Sequence, residues 1–155
     1  MFRKMFYYIG RNLVLKVLFK FLNIVGVGIP PIPTVSAIIP VGCGKILMIK
    51  LSYANGWALP GGGLKQGETF IEGVKREVFE ETGLVFSEAF YLGTYTAVRR
   101  EYSTVHVCFE VPKTSGKIKS SLEGEVLKVS VQEAIRRCVY EDEKRALLEY
   151  IARVG

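Results

Sequence analysis

The stretch from residue 61 to residue 84 constrains the fold more than any other part of the chain. Three consecutive glycines, Gly61–Gly63, are followed by residues 69–82, in which apolar and polar positions alternate at helical spacing. Gly83 follows where a helix commonly ends. The pattern predicts a glycine-rich loop that leads into one amphipathic helix.

Three carboxylates fall on one face of this predicted helix. Glu77, Glu80 and Glu81 stand at i, i+3 and i+4, and such like charges repel by roughly 0.2–0.5 kcal/mol per pair. A solvated acidic face would tolerate this repulsion. Because Ile71, Val74 and Val78 form an adjacent apolar stripe, a compensating cation is the better interpretation. Carboxylate oxygens without a Cys or His partner suit Mg²⁺ or Mn²⁺.

The neighbouring residues support such a site. Arg76 adjoins Glu77 and precedes Glu80 by one helical turn, so it can orient a carboxylate. Glu68 lies near the start of the helix, the favourable end of its dipole. Glycines in the preceding loop let the backbone approach a metal or a phosphate closely.

The spacing of these residues resembles the Nudix box, G-x5-E-x7-R-E-U-x-E-E-x-G-U, in which U is a bulky aliphatic residue. All nine specified positions match, and they are Gly62, Glu68, Arg76, Glu77, Val78, Glu80, Glu81, Gly83 and Leu84. The preceding WALPGG segment is similar to the strand and loop that enter this box. The resemblance covers roughly residues 34–153 and leaves out residues 1–30.

The resemblance implies an α/β fold, an α/β/α sandwich around a mixed sheet, and a hydrolase. The hydrolase would cleave the pyrophosphate bond of a nucleoside diphosphate linked to another moiety, with Mg²⁺ or Mn²⁺ as cofactor. Carried over position by position, it implies that Arg76 orients a catalytic glutamate and that Glu68, with Gly62 and Gly83, shapes the box. The implied metal ligands are Glu77, Glu80, Glu81 and the carbonyl of Gly61.

The general base stays open at this point. In the family it is either a box glutamate, here Glu77, or a glutamate on a later loop. Glu123 and Glu125, in the segment SLEGEV, occupy about that later position. We expect at least one of them to face the site, although both can also be surface acids of a turn.

Substrate choice lies outside the box. The upstream motif of a coenzyme A subgroup is missing, and Arg100 stands where an ADP-ribose subgroup carries proline. Tyr102 lies where a dinucleoside-polyphosphate subgroup often has tyrosine, so it is a candidate substrate contact, with core packing as the alternative. Arg99 and Arg100 are candidates for binding phosphate, and a solvated pair is the alternative.

The charge of the chain is unevenly placed. Residues 1–67 contain eight Lys or Arg and no Asp or Glu, whereas the rest carries 15 acids against 13 bases. The net charge of +6 therefore describes a basic first part, and we expect no nucleic-acid binding.

Residues 1–33 are predicted to form a basic, apolar amphipathic helix and a proline-rich linker, and residues 34–155 the hydrolase domain. On a helix, Lys16 and Lys20 lie on one side, and Val14, Val17 and Phe21 on the other. Two interpretations remain: the helix packs on its own domain or a partner subunit, or it lies on an anionic membrane surface. A membrane-spanning helix is disfavoured, because lysines interrupt the apolar run.

Other features are less specific. Cys43, Cys108 and Cys138 are widely spaced, which favours reduced thiols in a cytoplasmic protein over disulfides or zinc, and His106 is expected to be structural.

A nucleotide-like substrate is the expected partner, and a homodimer stays open. The alternative functions are a non-catalytic nucleotide-sensing module and a membrane-tethered hydrolase of a lipid-linked diphosphate.

Further elements are predicted on both sides of the box. Residues 34–41 and 45–52 are expected to form a hairpin around Gly42, Cys43 and Gly44. Strands are predicted near 89–98, 102–111 and 125–131, and helices near 131–138 and 141–153.

Overall fold

The structure, a computed structural model, describes residues 13–26, 30–98, 102–122 and 124–155. Its helices are α1 Leu13–Ile24, α2 Phe70–Thr82, α3 Val131–Arg137 and α4 Glu141–Val154. Its strands are β1 Ile32–Ile38, β2 Lys45–Leu51, β3 Trp57–Ala58, β4 Gly61–Gly63, β5 Leu84–Val85, β6 Phe90–Val98, β7 Ser103–Glu110, β8 Ser115–Gly116 and β9 Gly124–Ser130. The helices predicted at 69–82, 131–138 and 141–153 and the later strands agree with these bounds to within about two residues.

The strands form two larger sheets and one short ribbon. The first sheet has the order β4-β1-β7-β6 and is mixed, since β1 runs parallel to β7 and antiparallel to β4. The second has the order β3-β2-β9, with antiparallel neighbours. The ribbon pairs β5 with β8.

Helices cover both faces of these sheets, because successive side chains of a strand point to opposite sides. Val35 and Ala37 of β1 belong to a core cluster that includes Val74 of α2. Ile38 belongs to a second cluster that includes Leu147 of α4. This arrangement confirms the predicted α/β/α sandwich around a mixed sheet.

The predicted hairpin between β1 and β2 forms at its tip alone. The Val41 amide donates to the Lys45 carbonyl at 2.9 Å, and the Leu47 amide donates to the Ile39 carbonyl at 3.0 Å. Beyond this point the two strands enter different sheets. Pro40 pairs with Ile46 between these two hydrogen bonds, in an isolated antiparallel bridge. The structure therefore contains the predicted hairpin as a short antiparallel pairing of residues 39–41 with residues 45–47.

Local signals define α2 at both ends. Thr69 is its N-cap, and the Thr69 and Glu72 side chains form a reciprocal capping box. Gly83 ends the helix in the left-handed conformation, with φ of 73°. Val74 and Val78 are fully buried, but Ile71 is 37% exposed, so the buried stripe is narrower than the sequence suggested.

The first described helix, α1, precedes the sheets. No helix in the described ranges is long and apolar enough to cross a membrane. Strand β1 begins at Ile32, inside the segment predicted as a linker, because residue 32 already pairs with Thr104 of β7. The predicted domain division at residue 33 stays a prediction.

Candidate active site

Arg76 is the centre of the predicted box. Its Nε donates to Glu68 Oε1 at 2.6 Å and its Nη2 donates to Glu68 Oε2 at 2.8 Å, which makes a bidentate ion pair. Nη1 donates to Glu77 Oε1 at 2.6 Å, and Nη2 also reaches the Gly63 carbonyl at 3.0 Å. One side chain thus ties the helix to the loop that precedes it.

This contact shifts the titration of both partners. The hydrogen bonds from Arg76 lower the pKa of Glu68 from 4.5 to about 2, and the Lys65 amide also donates to Glu68 Oε2 at 2.7 Å. The two glutamates, Glu68 first, raise the pKa of the Arg76 guanidinium. Glu68 is therefore ionised at neutral pH.

Glu77 and Glu81 are nearly buried, at 5% and 2% exposure, against the glycine loop, residues 61–68. The first three residues of this predicted loop form the strand β4. Glu81 Oε2 accepts a hydrogen bond from the Gly61 amide at 2.7 Å. A Cβ atom on Gly62 would lie 2.4 Å from Glu77 Oε1, so this position has room for glycine alone. A Cβ atom on Gly61 would lie 2.2 Å from the Val35 carbonyl oxygen. The loop therefore approaches the two carboxylates because it carries no side chains.

Glu80 is the most exposed of the three acids. Its Oε1 lies 3.4 Å from Lys65 Nζ and its Oε2 lies 3.4 Å from Arg76 Nη1. Among the described residues, no three His, Cys, Asp or Glu side chains are gathered closely enough to hold a metal. Lys65 and Arg76 contact Glu80, and Arg76 also contacts Glu77.

The residues nevertheless fit a hard divalent cation in donor type. All three predicted side-chain ligands are carboxylates on one face of α2, and two of them meet the backbone of residues 61–62. Mg²⁺ and Mn²⁺ prefer such oxygen donors.

The candidate bases on the later loop are only partly described. Glu125 lies on β9, opposite Lys50 of β2, and its Oε2 is 3.9 Å from Lys50 Nζ. Its side chain is 62% exposed, and within the described residues it forms an ion pair with Lys50. Glu123 lies outside the described residues. The assignment of the general base therefore stays a prediction.

Of the three predicted substrate contacts, Tyr102 is the one that lies within the described residues. Tyr102 is half-buried and immediately precedes β7. Arg99 and Arg100 lie outside the described residues. The substrate-binding role of these three positions stays a prediction.

A pocket of about 380 Å³ lies beside the strand that leads into the glycine loop, and sequence reasoning did not find it. Its polar wall includes Lys50 and Asn55, and the Arg137 guanidinium lies 5.7 Å from the centre of the Trp57 ring. Trp57 opens the WALPGG segment, which is the one local signal for this pocket. The remaining lining residues are Leu51, Ala54, Gly56 and Leu127.

Two buried acids of α4 were also missed. Glu143, which is 2% exposed, accepts a hydrogen bond from the Leu59 amide at 2.8 Å. Asp142 Oδ2 accepts one from the Thr104 hydroxyl at 3.1 Å. The sequence did hold a signal, because Glu143 stands three, four and seven residues before the buried Ala146, Leu147 and Tyr150. Glu143 thereby holds the chain two residues before Gly61.

His106 is buried in a polar cluster on β7, which β1 separates from the glycine strand β4. Its Nδ1 lies 3.0 Å from the Thr34 hydroxyl and its Nε2 lies 2.8 Å from the Ser36 hydroxyl. Thr34 and Ser36 stand opposite Gly63 and Gly61 in the sheet. Burial also raises the pKa of the neighbouring Cys108 thiol to about 12. These contacts fit the expected structural role of His106.

Comparison with known proteins agrees with this architecture. A family model described as the NUDIX domain matches residues 30–150. An ADP-ribose pyrophosphatase of Methanocaldococcus jannaschii is 36% identical over 81 residues, which are 49% of this chain and 48% of the relative. A MutT-like protein of Streptomyces ambofaciens is 33% identical over 96 residues, 61% of each chain. Both matches cover less than two thirds of the relative's own length.

A solved structure shares the fold. The crystal structure of a MutT protein from Methanosarcina mazei Go1 superposes with a TM-score of 0.68 and is 28% identical. The match covers 80% of this chain and 94% of that one. The family match over most of the chain and the shared fold together establish that the chain belongs to the Nudix family.

Proposed function

We propose that this chain is a Mg²⁺- or Mn²⁺-dependent hydrolase that cleaves the pyrophosphate bond of a nucleoside diphosphate linked to another moiety. The observation that carries the proposal is the arrangement around Arg76. This residue bridges Glu68 and Glu77, while Glu81 binds the Gly61 amide, so the acids of the box are held against one loop. A protein that had lost turnover would have no need to retain every one of these charges.

The acidic residues of the site have different proposed roles. Glu77, Glu80 and Glu81, with the Gly61 carbonyl, would hold the metal. When bound, the ion neutralises the charge of the pyrophosphate and activates water for in-line attack at phosphorus. Attack forms one P–O bond and breaks the bridging P–O bond, which leaves two phosphate products. The proton of the water passes to a carboxylate, with Glu77, Glu123 and Glu125 as candidates.

The proposed role of Arg76 is to orient the Glu77 carboxylate rather than to bind the substrate. Its Nη1 contact fixes the Glu77 carboxylate, and its bidentate contact with Glu68 prevents the guanidinium from turning away. Since three of its hydrogen bonds go to Glu68 and Glu77, we expect its removal to lower kcat more than it raises KM.

The pocket beside Trp57 supports binding of the nucleotide part of the substrate. An aromatic face suits a base, and the cationic groups of Lys50 and Arg137 suit phosphate. Two relatives, named as an ADP-ribose pyrophosphatase and a MutT-like protein, support the same general substrate class. Arg100, in place of the proline typical of an ADP-ribose subgroup, weighs against ADP-ribose itself.

A phosphate-release screen tests the proposal. The full chain would be assayed with Mg²⁺ or Mn²⁺ against nucleoside triphosphates, oxidised nucleotides, nucleotide sugars, ADP-ribose, NADH and dinucleoside polyphosphates. A pyrophosphatase would be added to the assay so that either product is detected as phosphate. We expect one metal-dependent substrate group. Silence from folded, metal-binding protein across the panel would contradict the proposal and favour the sensing module or a lipid-linked substrate.

A further inference from the structure

Helix α1 presents an unusually apolar surface to solvent. Its apolar face consists of six residues that are between 47% and 74% exposed: Val14, Val17, Leu18, Phe21, Ile24 and, just after the helix, Val25. These positions recur every three or four residues, so they form one continuous stripe. A contiguous exposed apolar stripe of this kind marks a surface that another molecule or phase covers.

The charge of the sequence that contains this helix indicates what would cover the apolar face. Residues 1–26 carry Arg3, Lys4, Arg11, Lys16 and Lys20 and no acidic residue, and the Lys20 side chain is exposed. An apolar stripe combined with basic residues is the combination that binds an anionic lipid surface, where lysines pair with headgroups and apolar side chains enter the acyl boundary. A purely apolar interface between protein chains would leave this cationic excess without counter-charges.

The length of α1 determines whether it can span a bilayer or must lie at the bilayer surface. Twelve residues extend about 18 Å at 1.5 Å per residue, which is well short of the roughly 30 Å hydrocarbon core of a bilayer. A helix of this length therefore lies in the plane of the interface. We propose that α1 docks the protein onto anionic membrane surfaces through its apolar face. This proposal is independent of the proposed hydrolase activity.

Vesicle sedimentation tests it with the full chain. The protein would be mixed with vesicles of phosphatidylcholine alone or of phosphatidylcholine with phosphatidylserine. We expect binding to the anionic vesicles that weakens as salt rises, since the lysine contacts are screened. Equal partitioning to both vesicle types at all salt concentrations, or no binding at all, would overturn the proposal.

Two variants and a matched control make the test specific. Phe21→Asp places a charge in the apolar face, and Lys20→Glu reverses a basic charge beside it. We expect each to lower the partition coefficient about tenfold or more. Val154→Asp alters an equally exposed apolar residue on α4, which is 59% exposed, and we expect no change.

Because Phe21 and Lys20 are exposed, we expect both variants to keep the melting temperature of the wild type. If Phe21→Asp binds vesicles as the wild type does, the apolar face has another occupant and the proposal is wrong. If Phe21→Asp instead converts a dimer into a monomer in sedimentation velocity without changing vesicle binding, that occupant is a second copy of the chain.

Discussion

The ion pair between Arg76 and Glu68 predicts a specific dependence of stability on pH. Glu68→Gln removes the negative charge while it keeps the size of the side chain. In the wild type, Arg76 lowers the pKa of Glu68 from 4.5 to about 2. At 1.36 kcal/mol per pH unit, this difference corresponds to about 3 kcal/mol of stabilisation at most. Solvent reaches 18% of the Glu68 side chain and screens part of this energy, so we expect a loss of about 1–2 kcal/mol.

The sign of the pH effect follows from the direction of the pKa shift. A carboxylate whose pKa is lowered in the folded state stabilises the protein fully above its unfolded pKa. The stabilisation is then lost as pH falls through the folded value. The difference between wild type and Glu68→Gln should therefore be constant near neutral pH. It should shrink as pH falls from 4.5 towards 2.

Urea unfolding measures this difference, with the fluorescence of Trp57, the one tryptophan of the chain, as the probe. Glu88→Gln is the matched control, because Glu88 is exposed and makes no hydrogen bond or ion pair within the described part of the chain. We expect the control to resemble the wild type at each pH. A Glu68→Gln variant whose stability falls in parallel with the wild type between pH 4.5 and the lowest pH at which it folds would refute the reasoning.

Three further changes test the loop and its supports. Glu81→Gln should lower turnover about 100-fold or more with little change in the melting curve, and near-full activity would show that the metal assignment is wrong. Gly62→Ala should displace Glu77, whose Oε1 would lie 2.4 Å from the new Cβ, and we expect it to lower both stability and phosphate release. Glu143→Ala should destabilise the protein by about 1–3 kcal/mol, because the buried Leu59 amide loses its acceptor. Glu143→Gln keeps an acceptor, and urea unfolding should therefore find a smaller loss for it.

The helix of the box could be predicted because its signals are local. Thr69 and Glu72 form the capping box, and Gly83 takes the left-handed conformation, within 15 residues of one another. The apolar spacing of Val74 and Val78 sets the buried face. Each of these features acts through neighbours along the chain, so a single sequence contains them.

Strand pairing could not be predicted in the same way. β1 takes β7 as its parallel neighbour, in a register that pairs residue 32 with residue 104. A parallel pair requires a long crossover, and nothing near residue 32 in the sequence indicates which later strand supplies it. The adjacent strand β2 was the obvious partner by proximity. In the structure β1 lies instead between β4 and β7, and β2 lies between β3 and β9, so each of the two strands has partners at both edges.

The placement of the candidate metal ligands could likewise be predicted from the local sequence, whereas the candidate substrate pocket could not. Glu77, Glu80 and Glu81 lie within one turn and a half of one helix, so their relative placement follows from helical geometry alone. The pocket joins Lys50 of β2, Trp57 of β3 and Arg137 of α3, which the chain separates by up to 87 residues. The metal ligands and the pocket can therefore be altered independently, since substitutions in the pocket need not disturb the helix that carries the ligands. A variant such as Arg137→Gln should therefore raise KM for the substrate found in the screen and leave kcat largely unchanged, whereas Glu81→Gln should lower kcat.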